Sequence, residues 1–348
     1  MSDRYRVAII GCKSRAAHDH ARGYLSTGEC DLVAAADSDP DSVERFAAGY
    51  GSSVRRYSDY QDLLEDERPD IVSVCTGPRF QPSVVLDAAS ADVRAIHGEA
   101  PLAPTWGEAK AMRKAAGQKG IQLTFNLAHR LLPTVRATRL LLDRAHLGEL
   151  QRLEATGADL LDQGTHLLDL FHFWNAESSA EWVLGQIDYS TDRTAHHLPV
   201  EGRSLAEIRY QNGVPAILRT GEELGGWERV QIIGALGVIE WRSMAPVLRV
   251  RLHEEAGWHT PEGLASDDWE AATARGIADL VQCLSTGAEP FLRSECALRA
   301  TELVFATYES SRSRGRVDLP LQTEDSAFLS MLASGELDSR ARSTSGRD

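Results

Sequence analysis

Asp162 and His166 stand four residues apart, a spacing that on a helix puts a carboxylate and an imidazole on one face. Removing a hydride from a secondary alcohol also requires a base for the hydroxyl proton, and a histidine titrating near neutrality suits that work. A histidine satisfied by a neighbour near a helix start is the other reading of His166. A second group lies in Gly11-Cys12-Lys13-Ser14-Arg15-Ala16, between a short apolar run and a helix-like stretch. It fits G-x-G-x-x-G/A at its first and last positions, with Lys13 where the middle glycine would let a pyrophosphate approach the backbone. Lys13 offers a charge instead, and Arg15 touches a phosphate or faces solvent. Asp37, ending the next apolar run, stands where an acid accepts ribose hydroxyls and repels a 2′-phosphate, which favours NAD over NADP. Its alternative is a turn or N-cap residue of Asp37-Ser38-Asp39-Pro40. His196-His197 has no third ligand at metal spacing, and Asp162 with His166 makes half a metal site, so no metal is expected.

The elements that must position these groups change character along the chain. Apolar runs at 7–10, 32–36, 70–75, 94–97 and 121–125 alternate with helical patterns at 16–25, 41–49, 60–65, 83–90 and 105–119. Continuous apolar strands with helices between them predict a doubly wound parallel (Rossmann) α/β domain. From about Gly148 the runs lengthen and several alternate polar with apolar residues, and Asn212-Gly213 between two of them marks a hairpin. Helical patterns follow at 269–284 and 296–311. The expected organisation is a dinucleotide-binding domain over 1–125, an α+β domain with a large, mainly antiparallel open sheet over 126–325, and a tail over 326–348, disordered from about 339.

Composition limits the partners. At 348 residues and 43% hydrophobic, the chain exceeds one comfortable core. A net charge of −14 argues against nucleic acid or an anionic membrane. The five cysteines are odd in number and show no paired spacing, as expected of reduced thiols in the cytoplasm. The first residues run straight into a strand, with no apolar signal segment and no span long enough for a bilayer.

Four further segments carry a resemblance. Glu99-Ala100-Pro101 is similar to a Glu-Lys-Pro signature with its lysine missing, and Val74-Cys75-Thr76-Gly77-Pro78 to a loop that lies along a cofactor. Asn126, Arg130 and Pro133 resemble an Asn-x-x-x-Arg-x-x-Pro segment, and Asp162 to Asp169 an Asp-x-Gly-x-His-x-x-Asp segment. Together they resemble the glucose-fructose oxidoreductase and inositol dehydrogenase (Gfo/Idh/MocA) family over residues 5–321. Gln81 stands where that family usually carries a histidine. The resemblance implies His166 as acid/base, Asp162 as a substrate-binding or orienting carboxylate, Asp169 as a support of the local fold, and cofactor contacts at Thr76 and Glu99. It also implies a homo-oligomer, dimer or tetramer, formed through one face of the second sheet. In the resembled enzymes the lysine holds the substrate hydroxyl and assists the proton relay. Lys13 sits by the phosphates, so His97, with Arg130 as a further substrate contact, is the candidate stand-in; a packed strand residue is the other reading of His97. Three functions stay open: an NAD(H)-linked oxidoreductase acting on a sugar, cyclitol or related metabolite, or on an imine or conjugated bond; an NAD-retaining lyase, hydrolase or isomerase; and a non-catalytic binding subunit.

Overall fold

The computed structural model describes residues 4–189, 192–245 and 247–337. The chain forms two compact units assembled from interleaved segments. The first comprises the chain up to Pro104, Glu108–Leu131 and Asp268–Leu298; the second comprises Thr105–Gly107, Leu132–Asp267 and the chain from Arg299.

In the first unit, β1 (Tyr5–Ile10), β2 (Cys30–Ala36), β3 (Arg55–Tyr57), β4 (Ile71–Val74), β5 (Ala95–Gly98) and β6 (Gln122–Phe125) form an all-parallel sheet in the order β3-β2-β1-β4-β5-β6. The connections carry α1 (Arg15–Ser26), α2 (Pro40–Ala48), α3 (Tyr60–Glu67), α4 (Gln81–Ser90) and α5 (Trp106–Gln118). Val7, Ala8, Ile9, Ile71, Val72, Val74, Ala95 and Ile96 are buried whichever side of the sheet they face, which is why these strands read as unbroken apolar runs. Strand order reverses between β1 and β4, and their register aligns Ile10 with both Ala36 and Val74. Gly11, Asp37 and Cys75 therefore leave the sheet at the same edge, the switch point where doubly wound sheets bind ligands.

The second unit contains α6 (Pro133–Asp143), β7 (Leu150–Gly157), α7 (Gln163–Trp174), β8 (Ala180–Asp188), a separate hairpin of β9 (Arg193–Ala195) and β10 (Leu198–Val200), and then β11 (Arg203–Tyr210), β12 (Pro215–Gly221), β13 (Arg229–Gly234), β14 (Gly237–Arg242) and β15 (Leu248–Leu252). Next in the chain come α8 (Trp269–Thr286), α9 (Ser294–Ser313), β16 (Val317–Asp318) and α10 (Ala327–Ala333). The eight-stranded sheet runs β15-β14-β13-β7-β12-β11-β8-β16, with β7 and β12 parallel and the other pairs antiparallel. α7 packs on β7 and β12 through Leu167, Leu168, Leu170 and Phe171, all fully buried. On the opposite face, Leu184 and Leu205 stay 45% and 48% exposed, and Glu240 is enclosed by Arg229, Arg242 and Arg249.

The expected fold class is the observed one. The compact units are less contiguous than the boundaries drawn at 125 and 325. α8, expected as a helix of the second region, belongs to the first unit, where Ile277, Leu280 and Val281 join the core built on Ala17, Ala21 and Tyr24 of α1. Gly23 makes this close packing possible, since a Cβ there would lie 2.7 Å from Ile277 Cδ1. α10 lies in the stretch expected to be a tail, and the part from 339, expected to be disordered, lies outside the described residues.

Candidate active site

In the first unit, the turn after β1 is built around Gly11. Its φ is +91°, and a Cβ there would come within 2.7–2.8 Å of the backbone of Cys75 and Thr76. Only glycine permits this approach without displacing the loop after β4. Asp37 stabilises the same turn: Oδ2 accepts from the Cys12 N–H at 2.7 Å and Oδ1 from the Asp39 N–H at 2.9 Å. Both readings of Asp37 are therefore compatible, because each carboxylate oxygen keeps a second lone pair for a ribose hydroxyl. Ser14 caps α1, accepting from the Ala17 N–H at 3.3 Å, and Lys13 and Arg15 are exposed beside it. The Thr76 hydroxyl is buried without a hydrogen-bond partner. An orphaned hydroxyl, a turn that excludes any Cβ and an exposed helix N-terminus at the switch point fit a dinucleotide phosphate.

The loop after β5 continues this unit. The buried Gln81 side chain accepts from the Glu99 N–H at 2.8 Å and donates to the carbonyls of Glu99 and Leu102 at 2.8 and 2.9 Å, fixing the backbone on both sides of Ala100. The Glu99 carboxylate receives Asn126 Nδ2 at 3.0 Å and lies 2.7 Å from His20 Nε2. On its other side His20 meets Ser73 Oγ at 2.7 Å and Cys75 Sγ at 3.4 Å. Burial opposes protonation of His20, yet Cys75 and Glu99 outweigh it and raise the imidazole to about 10. His97 stacks 4.6 Å from His20, binds Thr124 Oγ1 at 2.8 Å and leaves Nε2 buried without a partner. Burial and the adjacent His20 push His97 well below its ordinary value, so it stays neutral. His97 and Arg130, both expected as substrate contacts, are each 1% exposed and packed inside the first unit. A single strand or turn pattern cannot show whether its polar residue points out of the fold.

A pH dependence follows from His20. A histidine raised on folding stabilises fully below its unfolded value near 6.5 and loses that contribution as pH climbs to about 10. Wild-type protein is therefore expected to lose Tm between pH 7 and 10 more steeply than His20→Asn, as followed by circular dichroism.

In the second unit, Asp162 is not inside the helix with His166, as the spacing had predicted, but is its N-cap residue, with no side-chain bond to the helix amides. His166 follows one turn later and is partly exposed, while Asp169 is fully buried. The turn before α7 is fixed at alternate residues: Gln163 Oε1 accepts from the Ala158 N–H at 2.7 Å, Glu201 Oε1 from the Leu160 N–H at 2.6 Å and Asp159 Oδ1 from the Asp162 N–H at 2.6 Å. Tyr308 and Thr220 hydroxyls also donate to the buried Glu201 carboxylate, at 2.9 and 3.1 Å. Burial, with each acid's acidic neighbour adding to it, raises Asp159 to about 6 and Glu201 to about 7. His196 Nε2 lies 3.3 Å from Asp162 Oδ2.

Residues 5–127 match an oxidoreductase family with an NAD-binding Rossmann fold, and residues 150–319 match the C-terminal alpha/beta domain of the same family. The chain belongs to the Gfo/Idh/MocA oxidoreductases. This member of the family is thus an NAD-dependent oxidoreductase. It is similar to D-apiose dehydrogenase of Paraburkholderia graminis, at 26% identity over 95% of this chain and 94% of the relative. Inositol 2-dehydrogenase of Rhizobium meliloti is 22% identical over 90% of this chain and 99% of its own length. An inositol dehydrogenase homolog from Azotobacter vinelandii, complexed with NAD+, shares the fold with a TM-score of 0.79 at 18% identity, covering 91% of this chain and 98% of that one.

Within this oxidoreductase, Gly11, Ser14, Asp37 and Thr76 gather at one sheet edge of the first unit, while Asp162 and His166 sit together in the second. Sequence reasoning missed His20, Glu201 and Asp159, and weighed His196 only as a metal ligand, not as a partner of Asp162. His20 lies on α1 between the buried Ala17, Ala21 and Tyr24, and its inward direction is set by α1's packing. Among the described residues, no group of three or more His, Cys, Asp or Glu could hold a metal, and no helix is long and apolar enough to cross a membrane.

Proposed function

We propose that this oxidoreductase moves a hydride between NAD and a carbinol carbon of a sugar, cyclitol or related polyhydroxylated metabolite. His166 exchanges the hydroxyl proton and Asp162 binds a substrate hydroxyl. The observation that carries this reading is a partly exposed carboxylate and imidazole one turn apart, at a helix start whose Ala158, Leu160 and Asp162 amides are held by side chains. The names of the relatives acting on D-apiose and inositol support a polyhydroxylated substrate.

Gly11, Ser14, Ala16 and Thr76 hold the cofactor's phosphates, with Lys13 and Arg15 beside them, Glu99 contributing from the loop after β5, and Asp37 taking the ribose and refusing a 2′-phosphate. Bound there, NAD supplies the hydride donor or acceptor. We read Ala100 as standing in the position of the Glu-Lys-Pro lysine. A methyl group neither holds a hydroxyl nor relays a proton, so the proton transfer falls to His166. The same methyl favours a second reading, reduction of an imine or conjugated bond, in which no alcohol needs an ammonium partner. The outward face of β8 and β11, with Leu184 and Leu205 exposed, is the proposed contact between copies in a homo-oligomer. Five buried free thiols accord with the cytoplasm.

The test combines calorimetry at millimolar NAD and NADP with absorbance at the NADH band over D-apiose, myo-inositol and alkyl glucosides. Heat with NAD and steady NADH formation support the leading reading. Product without net NADH transfers the protein to lyase, hydrolase or isomerase chemistry, and no heat with either nucleotide leaves a non-catalytic subunit.

A further inference from the structure

We infer that His196, at the tip of the β9–β10 hairpin, is a positioning residue that orients the Asp162 carboxylate. The inference rests on the reading of Asp162 as the substrate-binding acid. The two strands pair with each other, Leu198 opposite Ala195, in a sheet separate from the eight-stranded one. Their loop is two residues long, and both residues have positive φ: +49° at His196 and +62° at His197. That combination is the type I′ turn, whose usual occupants are asparagine, aspartate and glycine because side chains are crowded there. Histidine enters the left-handed region more readily than most residues, but two in succession remain strained.

The strain needs an explanation, and stability does not supply one. The His196 and Asp162 side chains are 43% and 34% exposed, so their ion pair is screened by water and adds little to folding. What the pair does is geometric. Three points of the hairpin region grip the turn that precedes α7: Arg193 Nη1 donates to the Ala158 carbonyl at 3.0 Å, Glu201 accepts from the Leu160 N–H at 2.6 Å, and His196 Nε2 reaches Asp162 Oδ2. The first two fix the backbone and the third fixes the side chain. The Asp162 side chain makes no cap bond to its own helix, and His196 Nε2 gives its Oδ2 a partner on the hairpin. With Oδ2 tied by a donor, the remaining lone pairs point in a fixed direction. Asp159 lies within electrostatic reach of Asp162, His196 and Arg193.

The experiment compares His196→Ala, His196→Gly, His196→Gln, His197→Gly and Asp162→Asn, using NAD with D-apiose and with myo-inositol, alongside Tm and a proton NMR titration of the histidine rings. Loss of the donor in the alanine and glycine variants is expected to raise KM for the sugar roughly tenfold with a smaller change in kcat. His196→Gln, which keeps a donor, recovers part of that loss, and His197→Gly matches wild type. His196→Gly relieves the turn and keeps Tm at or above the wild-type value, which separates positioning from folding. In the titration, Asp162→Asn lowers the half-protonation point of His196 by about half a unit or more. Wild-type KM in His196→Ala, a large fall in Tm in His196→Gly, or a His196 titration indifferent to Asp162→Asn overturns the inference. If Asp162→Asn itself leaves KM unchanged, or wild-type protein is silent on both sugars, the reading of Asp162 fails instead, and the titration still decides whether the pair exists.

Discussion

His166→Ala is expected to lower turnover by roughly two to four orders of magnitude while NAD binding and Tm stay at wild-type values. The size follows from the proposed role, which assigns the proton transfer to His166. Neither the core nor the cofactor turn should respond. The helix is anchored by Leu167, Leu168, Leu170 and Phe171, whereas His166 is partly exposed and lies in the second unit, away in sequence and in unit from Gly11 and Asp37. Steady-state NADH formation with saturating sugar, paired with NAD calorimetry, measures both halves. Turnover within a few fold of wild type removes His166 from the mechanism.

The second large effect belongs to Gly11→Ala. A methyl at this site meets the Cys75 carbonyl carbon at 2.7 Å, and its φ of +91° disfavours any side chain. The obstructing atoms are backbone, so no rotamer change relieves the contact, and β4's loop has to move. Left-handed strain and overpacking together give a destabilisation of about 2–4 kcal/mol, a fall in Tm on the order of 3–5 °C for a chain of this size. The same displacement moves Thr76, so NAD heat is expected to vanish at concentrations that saturate wild type. Thermal unfolding with and without NAD reads both effects; a variant with unaltered Tm and affinity would mean that the turn is not the pyrophosphate cradle.

The parts of this molecule that could be read from the chain are those where local pattern and burial agree. β1, β2 and β4 are mostly apolar because helices cover both sides, and each is followed by a residue, Gly11, Asp37 or Cys75, that leaves the sheet at the switch point. α8 was legible as a helix but not as part of the first unit, since an apolar stripe announces that a face is buried without naming the face it meets. The His20 to Glu99 contact joins residues 79 positions apart on elements that come together only through sheet order. Neither residue carries a local signal of that contact. The β9–β10 hairpin escaped notice because His196-His197 lacks the asparagine or glycine that normally advertises a two-residue turn. Asp162 and His166 were singled out by spacing together with the family resemblance, and the N-cap place of Asp162 reflects where the Ala158–Asp162 segment is pinned, which depends on Glu201 across the unit.

The return of α8 to the first unit bears on how the protein is made. A ribosome releases the six nucleotide-sheet strands after some 125 residues, but Ile277, Leu280 and Val281, which cover α1, emerge only after seven of the eight strands of the second sheet have been translated. Until then the nascent cofactor unit carries a bare apolar flank along Ala17, Ala21 and Tyr24, a surface that invites chaperone binding or aggregation. Shortened versions ending before Asp268 should inherit that flank permanently.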